Sequence, residues 1–282
     1  MGTLADYTDY LFGLGLAPGT VRMYRSHLRR ALEWADNHGI DLAHPTAMHL
    51  AELRREFVES AATLRQVRCA LQHYWDMLGV PQPPVKALRV PPKPRPTWRG
   101  LPDDVARKLA QTAWGWHPQG TAVLIALYTG LRRHEIAAMR WDRFAHDWST
   151  YTVTGKGGVT ATIPIHPRLR GLLAPYRSPF VWVFPGERRA HVHPATIWQW
   201  TLEVAEEAGV RVTPHPLRHT IVSKVATEAA KRGKPLTVAQ RFARHARIDT
   251  TQIYLESATD LDVAEILESF DWLGPVDAQE IA

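Results

Sequence analysis

Through the first third of the chain, apolar residues fall every three or four positions, the period of a helix with one buried face. Val21, Tyr24, Leu28, Leu32 and Ala35 form one such stripe. Pro18-Gly19-Thr20 just ahead of it predicts a turn, with Thr20 as the N-cap. A second helix start is predicted at His44-Pro45-Thr46, and Leu64, Val67, Leu71, Trp75 and Leu78 form the stripe of a third helix. Arg22, Arg25 and Arg29 lie off the first stripe, and Arg65, Arg68 and Gln72 lie off the last. Residues 1–88 therefore read as a small helical domain with basic outer faces. Those arginines are candidates for phosphate contact, although ordinary solvated charge would give the same pattern.

The periodicity stops over 81–96, which holds seven prolines. Proline at this density disfavours helix and strand and keeps the chain extended. With Lys93, Arg95 and Arg99, residues 89–100 read as a basic interdomain linker able to lie along a polyanion.

Helical signals resume at Pro102-Asp103-Asp104, where two acids suit the positive end of a helix. Thr121 to Tyr128 reads as an apolar helix ending at Thr129-Gly130; a further helix is predicted over about 132–140. Residues 148–154 and 159–165 alternate as two strands around Gly155-Lys156-Gly157-Gly158, which puts Lys156 on a hairpin tip. Helices dominate the remainder of the chain. Asp249-Thr250-Thr251 reads as the start of a short helix carrying Tyr254. Leu261, Ala264, Ile266, Leu267, Phe270 and Trp272 make the apolar side of a last segment, 259–282. Trp75, Trp141, Trp182, Trp198 and Trp200 are expected in the cores. The fold expected is mainly α with a small antiparallel β-sheet.

Composition narrows the function classes. The chain has 282 residues, 45% of them hydrophobic, enough for two modest cores. A single cysteine, Cys69, rules out a disulfide framework within one chain and fits a reducing compartment. No apolar run is long enough to span a membrane and no basic-then-apolar leader opens the sequence, so a cytoplasmic location is expected, with no membrane partner. His191 and His193 have poor metal-ligand spacing, with one cysteine in the chain and no carboxylate pair beside them; they read as loop histidines and no metal site is expected.

The net charge of +6 is unevenly spread. Residues 1–88 carry nine bases and nine acids, whereas 101–254 carry 21 bases and 11 acids. After Tyr254 there are eight acids and no base. A basic body attracts a phosphate backbone. An acid-only tail is repelled by DNA and should sit against protein.

Five segments carry the chemistry: Thr-Gly-Leu-Arg-Arg-His-Glu (129–135), Thr-Gly-Lys-Gly-Gly (154–158), His-Pro-Leu-Arg-His (215–219), Arg-His (244–245) and Gln-Ile-Tyr (252–254). Each alone is commonplace; their order and spacing are not. Attack on a phosphodiester builds negative charge on the non-bridging oxygens, and preorganised cations there are the largest expected catalytic effect. Arg132 and Arg218 are the candidate clamp, since the planar fork binds two phosphate oxygens and stays charged. Tyr254 is the candidate nucleophile and needs a proton acceptor, for which His215 is placed. His245 would donate a hydrogen bond to the phosphate, and Lys156 would protonate the leaving 5′-oxygen.

This ordered set resembles the tyrosine recombinase (phage integrase) family, whose pattern is Arg, Lys, His-x-x-Arg, His or Trp, Tyr. Arg132, Lys156, His215, Arg218, His245 and Tyr254 fall on those positions, and Glu135 on the acidic residue beside the first arginine. The match covers roughly 101–260 by motif and 1–90 by general character. Two departures are local. Ala243 and Arg244 stand where the family often has Leu-Gly, and Arg133 and His134 are bulkier than its usual residues.

The resemblance implies a helical core-DNA-binding domain over 1–88, a catalytic domain over 101–258 and a tail helix over 259–282 that contacts a neighbouring protomer. It also implies a 3′-phosphotyrosyl intermediate, no metal, ATP or other cofactor, and strand exchange by a homotetramer on double-stranded DNA with inverted-repeat core sites. An accessory directionality factor would be a further partner. The chain begins almost directly with the helical domain, so a minimal enzyme without an arm-binding domain is expected, from a phage, a mobile element or a chromosome-dimer resolution system. A type IB-like topoisomerase and a non-catalytic DNA-binding protein on the same scaffold remain open alternatives.

Overall fold

Thr3 accepts a hydrogen bond from the Asp6 N–H at 3.1 Å, while Asp6 accepts one from the Thr3 N–H at 2.8 Å. This reciprocal cap starts the first helix, α1 (Leu4–Gly13). The chain is described from a computed structural model over residues 2–57, 60–81, 83–91, 100–155, 158, 160–187, 190–235, 237–244 and 260–274, without the side chains of 215 and 260–262. It divides into two compact units, Met1–Pro96 and Thr97–Ala282.

In the first unit, α2 (Pro18–Asn37) and α4 (Ala61–Leu78) pack side by side, with α1 and α3 (Ala47–Glu56) against them. The predicted N-cap at Thr20 is corrected. Helix α2 already begins at Pro18, whose fixed φ suits the first helical position, with Ala17 as the cap. Thr46 does cap α3, accepting from the His49 N–H at 3.1 Å. The core gathers Tyr7, Leu28, Leu53, Leu71 and Trp75. Two buried polar aromatic atoms of this core are satisfied, Tyr7 Oη donating to the Ala70 carbonyl and Trp75 Nε1 to that of Leu42, each at 2.8 Å.

The proline-rich stretch is less extended than expected. Val85–Ala87 forms a 3₁₀ turn and Leu88 is buried in this core. Burying its apolar residues outweighs the extended preference of the flanking prolines.

The second unit is built around α6 (Gln119–Thr129), buried on every side from Gly120 to Thr129. From Ala122 to Tyr128 its sequence is apolar on every face, as a central helix requires. Around it lie α5 (Asp103–Ala113), α8 (Pro167–Leu173), α9 (Pro194–Glu207) and α10 (Pro214–Lys231). A Cβ on Gly120 would meet the Ala113 carbonyl oxygen at 2.0 Å, so the close α5–α6 approach needs glycine there.

The helix predicted over 132–140 is shorter. Helix α7 is Arg133–Ala137, because the chain beyond it turns to pair with 181–183. Val183 N–H donates to the Met139 carbonyl and Trp141 N–H to that of Val181, each at 2.9 Å. Strands β1 (Thr150–Thr154) and β2 (Thr160–Pro164) form the antiparallel hairpin, with Tyr151 opposite Ile163 and Thr154 opposite Thr160.

Helix α11 (Thr237–Ala243) follows α10, and both contact α12 (Asp260–Glu268), the last helix among the described residues. Val263, Ile266, Leu267 and Trp272 are buried in the core of this same unit. Basic residues meet the acidic segment at Arg168–Asp271 (3.0 Å), Arg232–Glu265 (3.1 Å) and Lys234–Glu265 (3.4 Å). The described part of the tail thus sits against a basic body. Among the described residues, no helix is long and apolar enough to cross a membrane.

Candidate active site

The first arginine owes its place to the four residues that precede α7. The Thr129 hydroxyl donates to the Ile125 carbonyl at 2.6 Å and accepts from the Leu131 N–H at 3.2 Å, tying the end of α6 to the turn after it. Gly130 ends α6 in the left-handed region, φ 61°. A Cβ there would also press on Ile221 at 3.1 Å and Phe242 at 3.3 Å. Leu131 is buried and anchors the turn. Arg132 then caps α7, its N–H donating to Glu135 Oε2 at 2.7 Å.

Glu135 is almost fully buried and accepts from two arginines. Arg132 Nη1 reaches Oε1 at 3.2 Å, and Arg244 Nη2 reaches Oε2 at 2.9 Å. Burial alone would raise its pKa. The Arg132 N–H bond and the Arg244 charge outweigh that and hold it below the usual carboxylate range. His134 beside it is pushed down, by burial first and then by Arg132, Arg133 and Arg244.

The second arginine comes from α10. Pro214 occupies its first position, where a missing N–H costs nothing, and Arg218 follows one turn later. Arg218 is buried, with Nη1 donating to the Gly130 carbonyl and Nη2 to the Ala243 carbonyl. Both acceptors lie at helix C-termini, of α6 and α11, where the backbone carries partial negative charge. Burial, with Arg132 and Arg244 nearby, lowers its pKa to about 10, which leaves it charged at neutral pH.

Arg132 and Arg218 line one cavity of about 430 Å³, together with Leu131, Arg133, His134, Trp198, Pro214, His219 and Val222. The structure therefore brings together three of the sequence-derived positions: Arg132, Glu135 and Arg218. His215 lies in the first turn of α10, its side chain outside the described residues. Lys156, His245 and Tyr254 also lie outside the described residues, as do the linker residues Lys93, Arg95 and Arg99.

In the first unit, Arg22, Arg25 and Arg29 are exposed, with Arg29 paired to Glu33 at 3.7 Å. Arg65 and Arg68 are half-buried, and Arg65 donates to the Pro91 carbonyl at 2.8 Å.

Two residues at the site carry no clear functional signal in the sequence. Trp198, expected in a core, is instead 36% exposed at the cavity with the Arg133 guanidinium 5.7 Å from its ring centre. Its neighbour Ile197 takes the buried position on α9. Arg244 is visible in the sequence only as a departure from the Leu-Gly pattern. His193 caps α9, accepting from the Ala195 N–H at 3.2 Å, and His191 bonds the Val192 carbonyl at 2.7 Å.

A cavity with two arginines held at helix ends suits a phosphate group. The model of the phage integrase family matches residues 103–260, more than half of the chain, and that of the phage integrase N-terminal SAM-like domain matches 4–79. The chain belongs to the phage integrase family. Tyrosine recombinase XerA of Thermococcus onnurineus is 30% identical over 261 residues, covering 89% of each chain. The integrase from mycobacterium phage Brujita is 27% identical with a TM-score of 0.54, over 99% of this chain and 97% of that one. A lambda integrase tetramer bound to a Holliday junction shares the fold, with a TM-score of 0.68 at 20% identity over 88% of this chain and 77% of that one. As a tyrosine recombinase, this phage integrase family member is a DNA-binding enzyme of site-specific recombination, and its fold is the expected one of two mainly helical parts with a small antiparallel hairpin.

Proposed function

We propose that the chain cleaves and rejoins DNA through a 3′-phosphotyrosyl intermediate, with Arg132 and Arg218 as the phosphate clamp. Tyr254 Oη attacks the phosphorus while its proton passes to His215. The bond from phosphorus to the 5′-oxygen breaks, and that oxygen takes its electron pair and a proton from Lys156. His245 donates to a non-bridging oxygen. A 5′-hydroxyl from the partner strand reverses the steps, so the phosphodiester's energy is conserved and no ATP is consumed. The arginines supply the positive charge that the transition state requires. The observation that carries this reading is the convergence of Arg132 and the buried fork of Arg218 on one cavity.

The DNA partner would be duplex with inverted-repeat core sites, bound by four copies, in the cytoplasm of a bacterial host. The lambda integrase tetramer on a Holliday junction supports that assembly. The tail would serve it if a neighbour's α12 replaced the chain's own in the groove that α12 fills here.

Two supercoiled plasmids test the reading, one carrying the inverted repeats that flank this gene and one without them. Recombination of the first alone, lost in Tyr254→Phe with binding retained, is expected. Relaxation of both plasmids would instead mark a type IB-like topoisomerase. Specific binding with no product, unaltered by Tyr254→Phe, would mark a non-catalytic binder.

A further inference from the structure

Arg244 adopts a conformation its residue type disfavours. Its φ is 50°, and among the described residues only one other non-glycine residue, Trp148, has positive φ. Glycine would take this position without strain, and glycine is common there in the family pattern. Something must hold an arginine in it. The contacts of its side chain supply that. Nη2 lies 2.9 Å from Glu135 Oε2 and Nη1 3.4 Å from Oε1, so both arms of the fork engage one carboxylate. The side chains are 12% and 1% exposed, and the bond therefore forms away from bulk water. Among the described residues, Arg244 Nε is buried with no hydrogen-bond partner, so the residue accepts a polar cost as well as a backbone one.

The arrangement bears directly on Arg132. A buried Glu135 facing Arg132 alone would neutralise it and draw its guanidinium inward. With Arg244 present, two guanidiniums share one carboxylate and a positive charge is left over. Glu135 still accepts the Arg132 N–H at 2.7 Å and so fixes the start of α7. The Arg132 side chain remains 41% exposed at the cavity. Arg244 also immediately precedes the stretch that holds His245 and Tyr254 in the sequence, so its fork ties the end of α11 to the first turn of α7.

We propose that Arg244 is a positioning residue for strand transfer: by sharing the buried Glu135 carboxylate with Arg132, it leaves the exposed arm and the charge of the Arg132 guanidinium available to the scissile phosphate. This rests on the reading of Arg132 as part of the clamp.

A double-mutant cycle in the full-length chain tests it, with Arg244→Gly, Glu135→Gln and the pair. Glycine suits the left-handed backbone, and glutamine keeps an acceptor for the Arg132 N–H without the charge. The readouts are DNA affinity and, separately, the rate of covalent adduct formation by the bound complex on a nicked duplex that the wild type cleaves. Arg244→Gly is expected to slow adduct formation by about tenfold or more, with affinity nearly unchanged. On the Glu135→Gln background the same change should cost little or nothing.

An unchanged rate in Arg244→Gly overturns the inference, as does an equal loss on both backgrounds, which is what a merely structural role would give. If Arg244→Gly does not fold, Arg244→Met on both backgrounds makes the same comparison. If the wild type forms no adduct on any flanking repeat, the reading of the clamp fails and this inference with it.

Discussion

The two arginines of the proposed clamp are held by different devices, and the devices predict different losses. Arg132 is half-exposed, and the carboxylate it touches is also held by Arg244. Its removal should leave stability close to wild type, since partly exposed pairs contribute little. Arg218 is buried on two carbonyls that would be left unsatisfied without it. Arg132→Ala is therefore expected to slow covalent adduct formation by roughly 10²–10³-fold with little change in unfolding temperature. Arg218→Ala should show a comparable loss and, in addition, a destabilisation of about 1–3 kcal/mol. Adduct rates and thermal unfolding check both. A rate within about tenfold of wild type, some 1.4 kcal/mol, would contradict the clamp.

The elements explain why those residues meet. The end of α6, the first turn of α7, the second turn of α10 and the end of α11 converge because Gly130 turns the chain and offers its carbonyl to Arg218. The tail is held by a second polar cluster. Asp271 accepts from Tyr128 Oη, from Arg168 Nε at 3.0 Å and from the Leu273 N–H at 3.0 Å. Trp272 Nε1 donates to the Leu127 carbonyl at 3.2 Å. His166 fits the cluster as a neutral ring, its Nδ1 accepting from the Arg168 N–H and its Nε2 donating to the Phe270 carbonyl; burial, first, lowers its pKa.

Burial alone would raise the Asp271 pKa, but the Tyr128, Leu273 and Arg168 contacts outweigh it and hold the value down. A carboxylate with a depressed folded pKa stabilises above its unfolded pKa of about 4 and loses that contribution as pH falls through the folded value. Asp271→Asn should thus destabilise the chain by about 1–3 kcal/mol near neutral pH, with the gap to wild type closing below about pH 4. Urea unfolding across pH measures this; a gap constant from pH 7 to pH 3 would contradict it. Deleting the segment outright is a poorer probe of assembly, because Val263, Ile266, Leu267 and Trp272 belong to the core.

Across the whole molecule, sequence and structure agree where one local signal decides the outcome. Thr46 caps its helix, the alternating residues pair as a hairpin, and the apolar run at 121–128 is the central helix. Thr129-Gly130-Leu131-Arg132 is legible as a motif, and its hydrogen bonds explain the order of its residues. Contacts between segments distant in sequence are not legible. Arg244 finds Glu135 from 109 positions away, a partner that helical or strand period cannot indicate. Trp198 lies at the cavity because Ile197 beside it takes the buried side of α9, which a count of tryptophans does not reveal. The helix over 132–140 ends early for the same reason, through pairing with 181–183.

The most direct measurement traps the covalent intermediate. A nicked duplex built from the inverted repeats at the gene's own flanks would be incubated with the full chain, and the adduct isolated on a denaturing gel, digested and sequenced by mass spectrometry. The account predicts a DNA remnant on the peptide containing Tyr254 and no adduct from Tyr254→Phe. Attachment at another residue, or an adduct that persists in Tyr254→Phe, would contradict it.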